Sequence, residues 1–177
     1  FEIRPDLEVK VTEVLGLLNT FKDSYLDSNT IPSLQTPFEL QLFNTFRSYL
    51  DIENRYPSLL EKNSDQRGFF SEIIRTDIGG QFSYSTTLPD ITRGNHFHTR
   101  KIERFIVIEG KAKISLRKIG STEVHEFLLD GENPSYVDMP IWYTHNITNI
   151  GSSLLITAFW INEPYNSEDA DTYFENV

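Results

Sequence analysis

Two periodicities divide the chain. Up to about residue 62, apolar residues recur at helical spacing: Leu7, Val11, Val14, Leu15, Leu18 and Phe21 in one stretch, then Leu42, Phe43, Phe46 and Leu50 in another. Thr36-Pro37-Phe38-Glu39 reads as a helix start, with Thr36 as cap, proline at the first helical position and Glu39 closing a capping box. Two or three short helices cannot bury such faces alone. They are expected to pack on the following domain, on another subunit or, preferably, on a domain missing upstream of Phe1. From about Gln66 the spacing changes to alternation. Short runs rich in Phe, Ile, Val, Tyr and Thr are separated by turn signals such as Gly79-Gly80, Gly110, Gly120, Asp130-Gly131 and Gly151. Strands are expected near 69–76, 81–88, 93–98, 103–109, 111–119, 122–129, 135–139, 144–149 and 153–161. Short strands at this spacing predict an antiparallel sandwich or barrel.

Composition narrows the classes. A chain of 177 residues with 38% hydrophobic and 13% aromatic content is globular, with room for one domain and an appendage. A net charge of -10 argues against a nucleic-acid polymer as partner, because phosphate binding needs a basic surface. The absence of cysteine rules out disulfides and thiolate chemistry and fits a cytosolic protein. No signal-peptide pattern and no apolar run of about 18 residues is present, so membrane insertion is not expected. The last sixteen residues carry five acids and no base, which predicts a solvated, partly mobile tail. The chain opens at Phe1 within a helix-like region and reads as a fragment of something longer.

The densest chemistry lies in His96-Phe97-His98-Thr99-Arg100-Lys101-Ile102-Glu103. Residues i and i+2 of a strand share a face, so His96 and His98 can reach one ion from one segment. Glu103 would reach it from the next strand and His145 from a return strand. Imidazole suits zinc, iron, nickel or copper, and a carboxylate shifts the set toward harder ions. Elsewhere the readings stay double. Arg67 and Glu72 flank Phe69-Phe70 either as a nucleotide clamp or as an edge-strand ion pair beside core rings. Arg93 suits a diphosphate, since guanidinium forks onto such oxygens. Lys101 and Arg104 read as solvated turn residues, and His125, alternating with Val124 and Glu126, as structural. Trp142 and Tyr143 either stack on a sugar or join the core.

The spacing His-x-His-x4-Glu-x6-Gly, from His96 to Gly110, resembles the first motif of the cupins. Pro140-x4-His145-x3-Asn149 resembles their second, with Trp142 where glycine is usual. Asp65-Gln66-Arg67-Gly68-Phe69-Phe70-Ser71-Glu72 and Arg93-Gly94-Asn95-His96-Phe97 are similar to segments of the cupin epimerases acting on nucleotide-activated 4-keto-6-deoxy sugars. That resemblance implies substrate binding by Arg67, Phe70, Glu72, Gln81 and Arg93, with His96 as the base. The whole chain, with Phe46-Arg47-Ser48-Tyr49-Leu50 joined directly to this cupin, resembles the C-terminal part of the bifunctional capsular polysaccharide synthesis enzymes of the CapF family.

The CapF resemblance implies a mainly β fold, a cupin jelly roll preceded by a short helical segment from the end of an α/β reductase domain. Residues 1–62 would be the end of a short-chain dehydrogenase/reductase domain with its linker, and 63–177 the cupin with its acidic tail. The implied activity is C3 epimerisation of a UDP-2-acetamido-2,6-dideoxy-4-ketohexose for N-acetyl-L-fucosamine. Zinc, or iron, would sit on His96, His98, Glu103 and His145. NADPH-dependent C4 reduction would belong to the missing N-terminal part, since neither Gly-x-Gly-x-x-Gly nor Tyr-x-x-x-Lys occurs in the chain. A homodimer in the bacterial cytoplasm is expected. The two resemblances conflict at His96, because a metal-bound imidazole is a poor base. If His96 is a ligand, the proton carriers fall to a metal-bound hydroxide, Lys101, Tyr143 or His125. Two other classes compete: a metal-dependent cupin dioxygenase, in which the clamp segment has no obvious role, and a non-catalytic, zinc-stapled sugar-binding or dimerisation module.

Overall fold

A computed structural model of the chain describes residues 8–56 and 58–177, so Leu7 of the first apolar face lies outside it. The chain divides into two compact units, Phe1–Leu59 with Thr76–Ile78, and Leu60–Arg75 with Gly79–Val177. In the first, α1 (Val11–Phe21) runs on through a π-helical turn (Lys22–Asp27) to the two-residue strand β1 (Thr30–Ile31), followed by α2 (Pro37–Ser48) and α3 (Ile52–Arg55). The expectation of helix up to residue 62 is corrected here: Asn29 at φ +50 and then Pro32 break the helical path, and residues 58–62 carry no helix. The start of α2 follows its sequence signature. Thr36 Oγ1 accepts from the Glu39 amide at 3.2 Å, and the Glu39 carboxylate accepts from the Thr36 amide at 3.3 Å. Phe21, 1% exposed, meets Phe43 edge-on at 5.0 Å, and Tyr25 meets Phe43 at 5.2 Å. Val11 and Leu15 of the expected face are exposed.

The second unit is built of β2 (Asn63–Asp65), β3 (Gly68–Thr76), β4 (Gln81–Thr87), β5 (Thr92–Phe97), β6 (Glu103–Glu109), β7 (Lys111–Lys118), β8 (Val124–Asp130), β9 (Tyr136–Met139), β10 (Tyr143–Asn149), β11 (Leu155–Ile161) and β12 (Tyr173–Phe174). One antiparallel sheet runs β3-β4-β11-β6-β9, with β2 paired to β3, and the other runs β12-β5-β10-β7-β8. Together they form a jelly roll. Alternation sends Ala112, Ile114 and Leu116 of β7 inward, where they meet Val107, Leu129, Met139, Ile147 and Leu155 as the core. Neither β2 nor β12 is anticipated by the hydrophobic pattern. The tail expected to be solvated is exposed over most of its length, but it is docked at two points: Asp171 is 4% exposed, and Tyr173 and Phe174 pair with Phe97 and His96 of β5. Among the described residues no helix is long and apolar enough to cross a membrane.

Candidate metal centre

His96 lies near the end of β5, His98 follows just beyond it, Glu103 opens β6, and His145 sits within β10 directly opposite His96. One ligand atom from each of the four lies within 4.8 Å of all the others. Glu103 Oε2 is 3.1 Å from His98 Nε2 and 3.3 Å from His145 Nε2. These three atoms are buried and lack a hydrogen-bond partner. Buried polar atoms are rarely left so, and three orphans converging from two imidazoles and a carboxylate fit a divalent cation.

The other ring nitrogens are occupied. His98 Nδ1 donates to the Asp171 carbonyl, and His145 Nδ1 faces the Tyr143 carbonyl at 3.4 Å. Each contact sets the tautomer that turns Nε2 inward. Burial, then the His145 ring, pushes the His96 imidazole down to about 4, so it is neutral and its lone pair available at neutral pH. Burial alone would raise the Glu103 carboxyl, but the imidazoles of His145 and His98 hold it well below the usual carboxylate range. Burial would depress His98, and the Glu103 carboxylate beside it raises it overall.

Strand register places the remaining candidates. Glu103, Ile161 and Gln81 form one lateral row; Phe105, Phe159, Ser83 and Glu72 form the next; Val107, Thr157, Ser85 and Phe70 form a third. Paired residues share a face, so Phe70, Glu72, Gln81 and Ser83 lie on the same inner face as Glu103. A run of rings spans that face: Phe105 sits 6.2 Å from His145, Phe159 stacks on Phe105 at 5.3 Å, and Phe70 follows at 5.5 Å. Phe69 points the other way, edge-on to Tyr84. Gln81 is already engaged, its Oε1 accepting from the Tyr165 amide at 3.0 Å. Glu72 pairs with Arg75 at 3.0 Å, and Arg67 forks onto Asp65 rather than Glu72. Arg93 donates to Thr87 Oγ1 and the Thr86 carbonyl.

The proton-carrier candidates separate clearly. Lys101 is no solvated turn residue: it is 2% exposed and its Nζ donates to the Ala170 carbonyl at 2.6 Å. Arg104 is exposed, paired with Asp138 at 2.7 Å and stacked 3.9 Å over Tyr136. His125 shares the lateral row of His96, His145 and Leu116, but it is exposed and two strands from His145, roughly 10 Å at ordinary sheet spacing. Tyr143 is half-buried on the His145 face of β10 and packs against the core.

Trp142 shows why glycine is usual at its position. Its φ is +64, its amide donates to the His98 carbonyl at 2.8 Å, and its ring stacks on Phe97 at 5.7 Å. Both Trp142→Gly and Trp142→Ala lose the stack, but only alanine keeps the left-handed penalty of about 1 kcal/mol. The glycine variant is expected to be the more stable by about that amount in urea unfolding. The reverse order would mean that the turn does not require positive φ.

Three contributors escaped sequence reasoning. Phe105 was legible, being two residues beyond Glu103 on one strand, and Phe159 follows from the alternation of β11. Asp171 carried no signal, being one acid among several in a polar tail.

Residues 63–173 match the polysaccharide biosynthesis C-terminal domain family. The crystal structure of the capsular polysaccharide assembling protein CapF from Staphylococcus aureus superposes with a TM-score of 0.86 at 40% identity, covering 97% of this chain and 46% of that one. The UDP-2-acetamido-2,6-beta-L-arabino-hexul-4-ose reductase of Pseudomonas aeruginosa is 33% identical over 97% of this chain and 46% of its own length. A probable low-salt glycan biosynthesis epimerase of Haloferax volcanii, Agl13, is 27% identical over 63% of this chain and 80% of its own. The chain spans about half the length of the first two relatives. With its jelly roll and its match over most of the β unit, the chain belongs to the polysaccharide biosynthesis C-terminal domain family.

Proposed function

We propose that the β unit is a sugar-nucleotide-modifying enzyme of polysaccharide biosynthesis, specifically a zinc-dependent epimerase acting at C3 of a UDP-linked 2-acetamido-2,6-dideoxy-4-ketohexose on the route to N-acetyl-L-fucosamine. The observation that carries this reading is the row of Phe105, Phe159 and Phe70 leading from His145 to the clamp segment on one inner face. A sugar at the His/Glu group would leave its nucleotide extending along that row. The relatives named as a UDP-sugar reductase and a glycan epimerase support the substrate class.

The protein's own groups divide the work. Burial, then the neighbouring Arg67, pulls the Arg93 guanidinium below its usual range, so two arginines act on one region beside Asp65. Two guanidiniums and one carboxylate leave a positive patch on an acidic chain, suited to a diphosphate. The ring row offers flat apolar faces and excludes water. His96, His98, Glu103 and His145 would hold the cation, which as a Lewis acid would polarise the C4 carbonyl and acidify the C3 proton. With His96 among the ligands, a proton carrier comes from elsewhere. Tyr143 suits this role best, because it shares a strand face with His145 while Lys101 is tied to Ala170 and His125 lies out on β8. Epimerisation needs one proton removed from C3 and one returned on the opposite face, with no redox partner. In the longer protein, the helical unit would end a reductase domain that holds NADPH, and the enzyme would act as a homodimer in the bacterial cytoplasm.

Exchange at C3 tests the reading. The chain loaded with zinc and incubated with the UDP-4-keto sugar in deuterated water is expected to incorporate deuterium at C3, followed by NMR. Tight binding of the UDP-sugar with no exchange sinks the epimerase reading. Iron instead of zinc on elemental analysis would favour the dioxygenase class, for which the donor set is equally fit.

A further inference from the structure

Asp171 carries more contacts at the site than any other tail residue. Its carboxylate accepts from the amides of Thr99 at 3.0 Å, Arg100 at 3.0 Å and Lys101 at 3.1 Å, and from the Thr99 hydroxyl at 2.6 Å. Its own carbonyl accepts from His98 Nδ1. The residue is 4% exposed and held at φ +40, a conformation that a non-glycine residue adopts only when its surroundings impose it. On either side the tail is anchored independently. The Lys101 ammonium reaches the Ala170 carbonyl, and Glu175 and Asn176 accept from Arg117, the first at 2.7 Å.

We propose that Asp171 is a positioning residue for the metal centre. Its carboxylate closes the turn from Thr99 to Lys101, and this fixes the backbone so that its carbonyl accepts the hydrogen bond from His98 Nδ1 and aims Nε2 at Glu103. A carboxamide cannot do this as well, because its NH2 would face amide donors where a carboxylate oxygen now accepts. Partners that orient a metal-bound imidazole set its direction and basicity, and their loss costs metal affinity without removing a ligand.

The inference rests on the reading of His96, His98, Glu103 and His145 as a metal site, and the test separates the two. Zinc affinity is measured by titration of the metal-stripped chain, and the visible bands of bound cobalt report ligand geometry. Asp171→Asn is expected to lower zinc affinity about 10- to 100-fold and to shift the cobalt bands. Arg117→Ala, which frees the tail at an anchor away from His98, is expected to change neither by more than about twofold. Thr99→Ala, which removes one donor to the carboxylate, is expected to lose about three- to tenfold. Wild-type affinity and bands in Asp171→Asn overturn the inference, as does an equal loss in Arg117→Ala, which would make Asp171 a mere tether. If Asp171→Asn does not fold, unchanged affinity in Thr99→Ala overturns it. A wild-type chain that takes up neither zinc nor cobalt defeats the metal reading itself.

Discussion

His98→Ala is expected to leave the purified chain essentially free of zinc and C3 exchange at background. The four donors are mutually close, with His98, Glu103 and His145 buried and His96 half-buried, so a substitute side chain from solvent has little room to enter. Removing His98 also leaves Glu103 Oε2 with only His145 at 3.3 Å. Losing a supporting partner of a ligand costs about 10- to 100-fold in affinity, and losing the ligand itself is expected to exceed that. Zinc per chain after gel filtration, with competition against a chromophoric chelator, gives the measurement. His125→Ala is the matched control: the same residue type, exposed on β8, with no expected effect on zinc. Retention of zinc within about tenfold of wild type in His98→Ala would remove His98 from the ligand set.

Gly94→Ala is expected to destabilise the fold by about 2–6 kcal/mol and to weaken the candidate metal centre with it. The residue has φ +102, and an added Cβ would lie 2.7 Å from the His145 carbonyl oxygen and 2.9 Å from Asn146 Cα. Both obstacles are backbone, so no flexible side chain can give way. The cost therefore combines about 1–3 kcal/mol of conformational strain with about 1–3 kcal/mol of overpacking. Relief requires β10 to move off β5, where register already slips between His145 and Asn146, and that displaces His145 from His96. Gly120→Ala separates the two terms: φ is +83 but no atom lies within 4 Å of the added Cβ, so only the strain of about 1 kcal/mol applies. Urea midpoints with and without zinc measure both variants. A Gly94→Ala midpoint equal to wild type would show that the approach of β10 to β5 is not tight.

Much of this architecture was legible because it rests on local alternation. Strand β6 occupies Glu103–Glu109 as the pattern predicts, and most neighbouring strands differ from expectation by a residue or two at their ends. His96, His98, Glu103 and His145 meet because the end of β5 with its short turn into β6, and the return strand β10, are enough to bring them together. What stayed hidden depends on distant partners. Lys101 looks like any turn lysine until its ammonium is seen donating to the Ala170 carbonyl. Asp171 looks like any tail acid until three amides of the turn after His98 point at it. Its burial is favourable only because they do, since a buried carboxylate without donors is costly. The clamp residues lay between these extremes. Alternation could place Phe70 and Glu72 on one face, but not the preference of Arg67 for Asp65.

The hydrogen bond between His98 and Asp171 joins residues 73 apart in sequence. During synthesis His145 precedes Asp171 by 26 residues, which at about 5–20 residues per second takes roughly 1–5 s to translate. For that interval the emerging chain holds all four donors without the segment that fixes the tautomer of one of them. Long-range strand pairing is slow to form, and β12 can pair with β5 only after His145 has been made. The surroundings of His98 are therefore completed only after all four donors have been made.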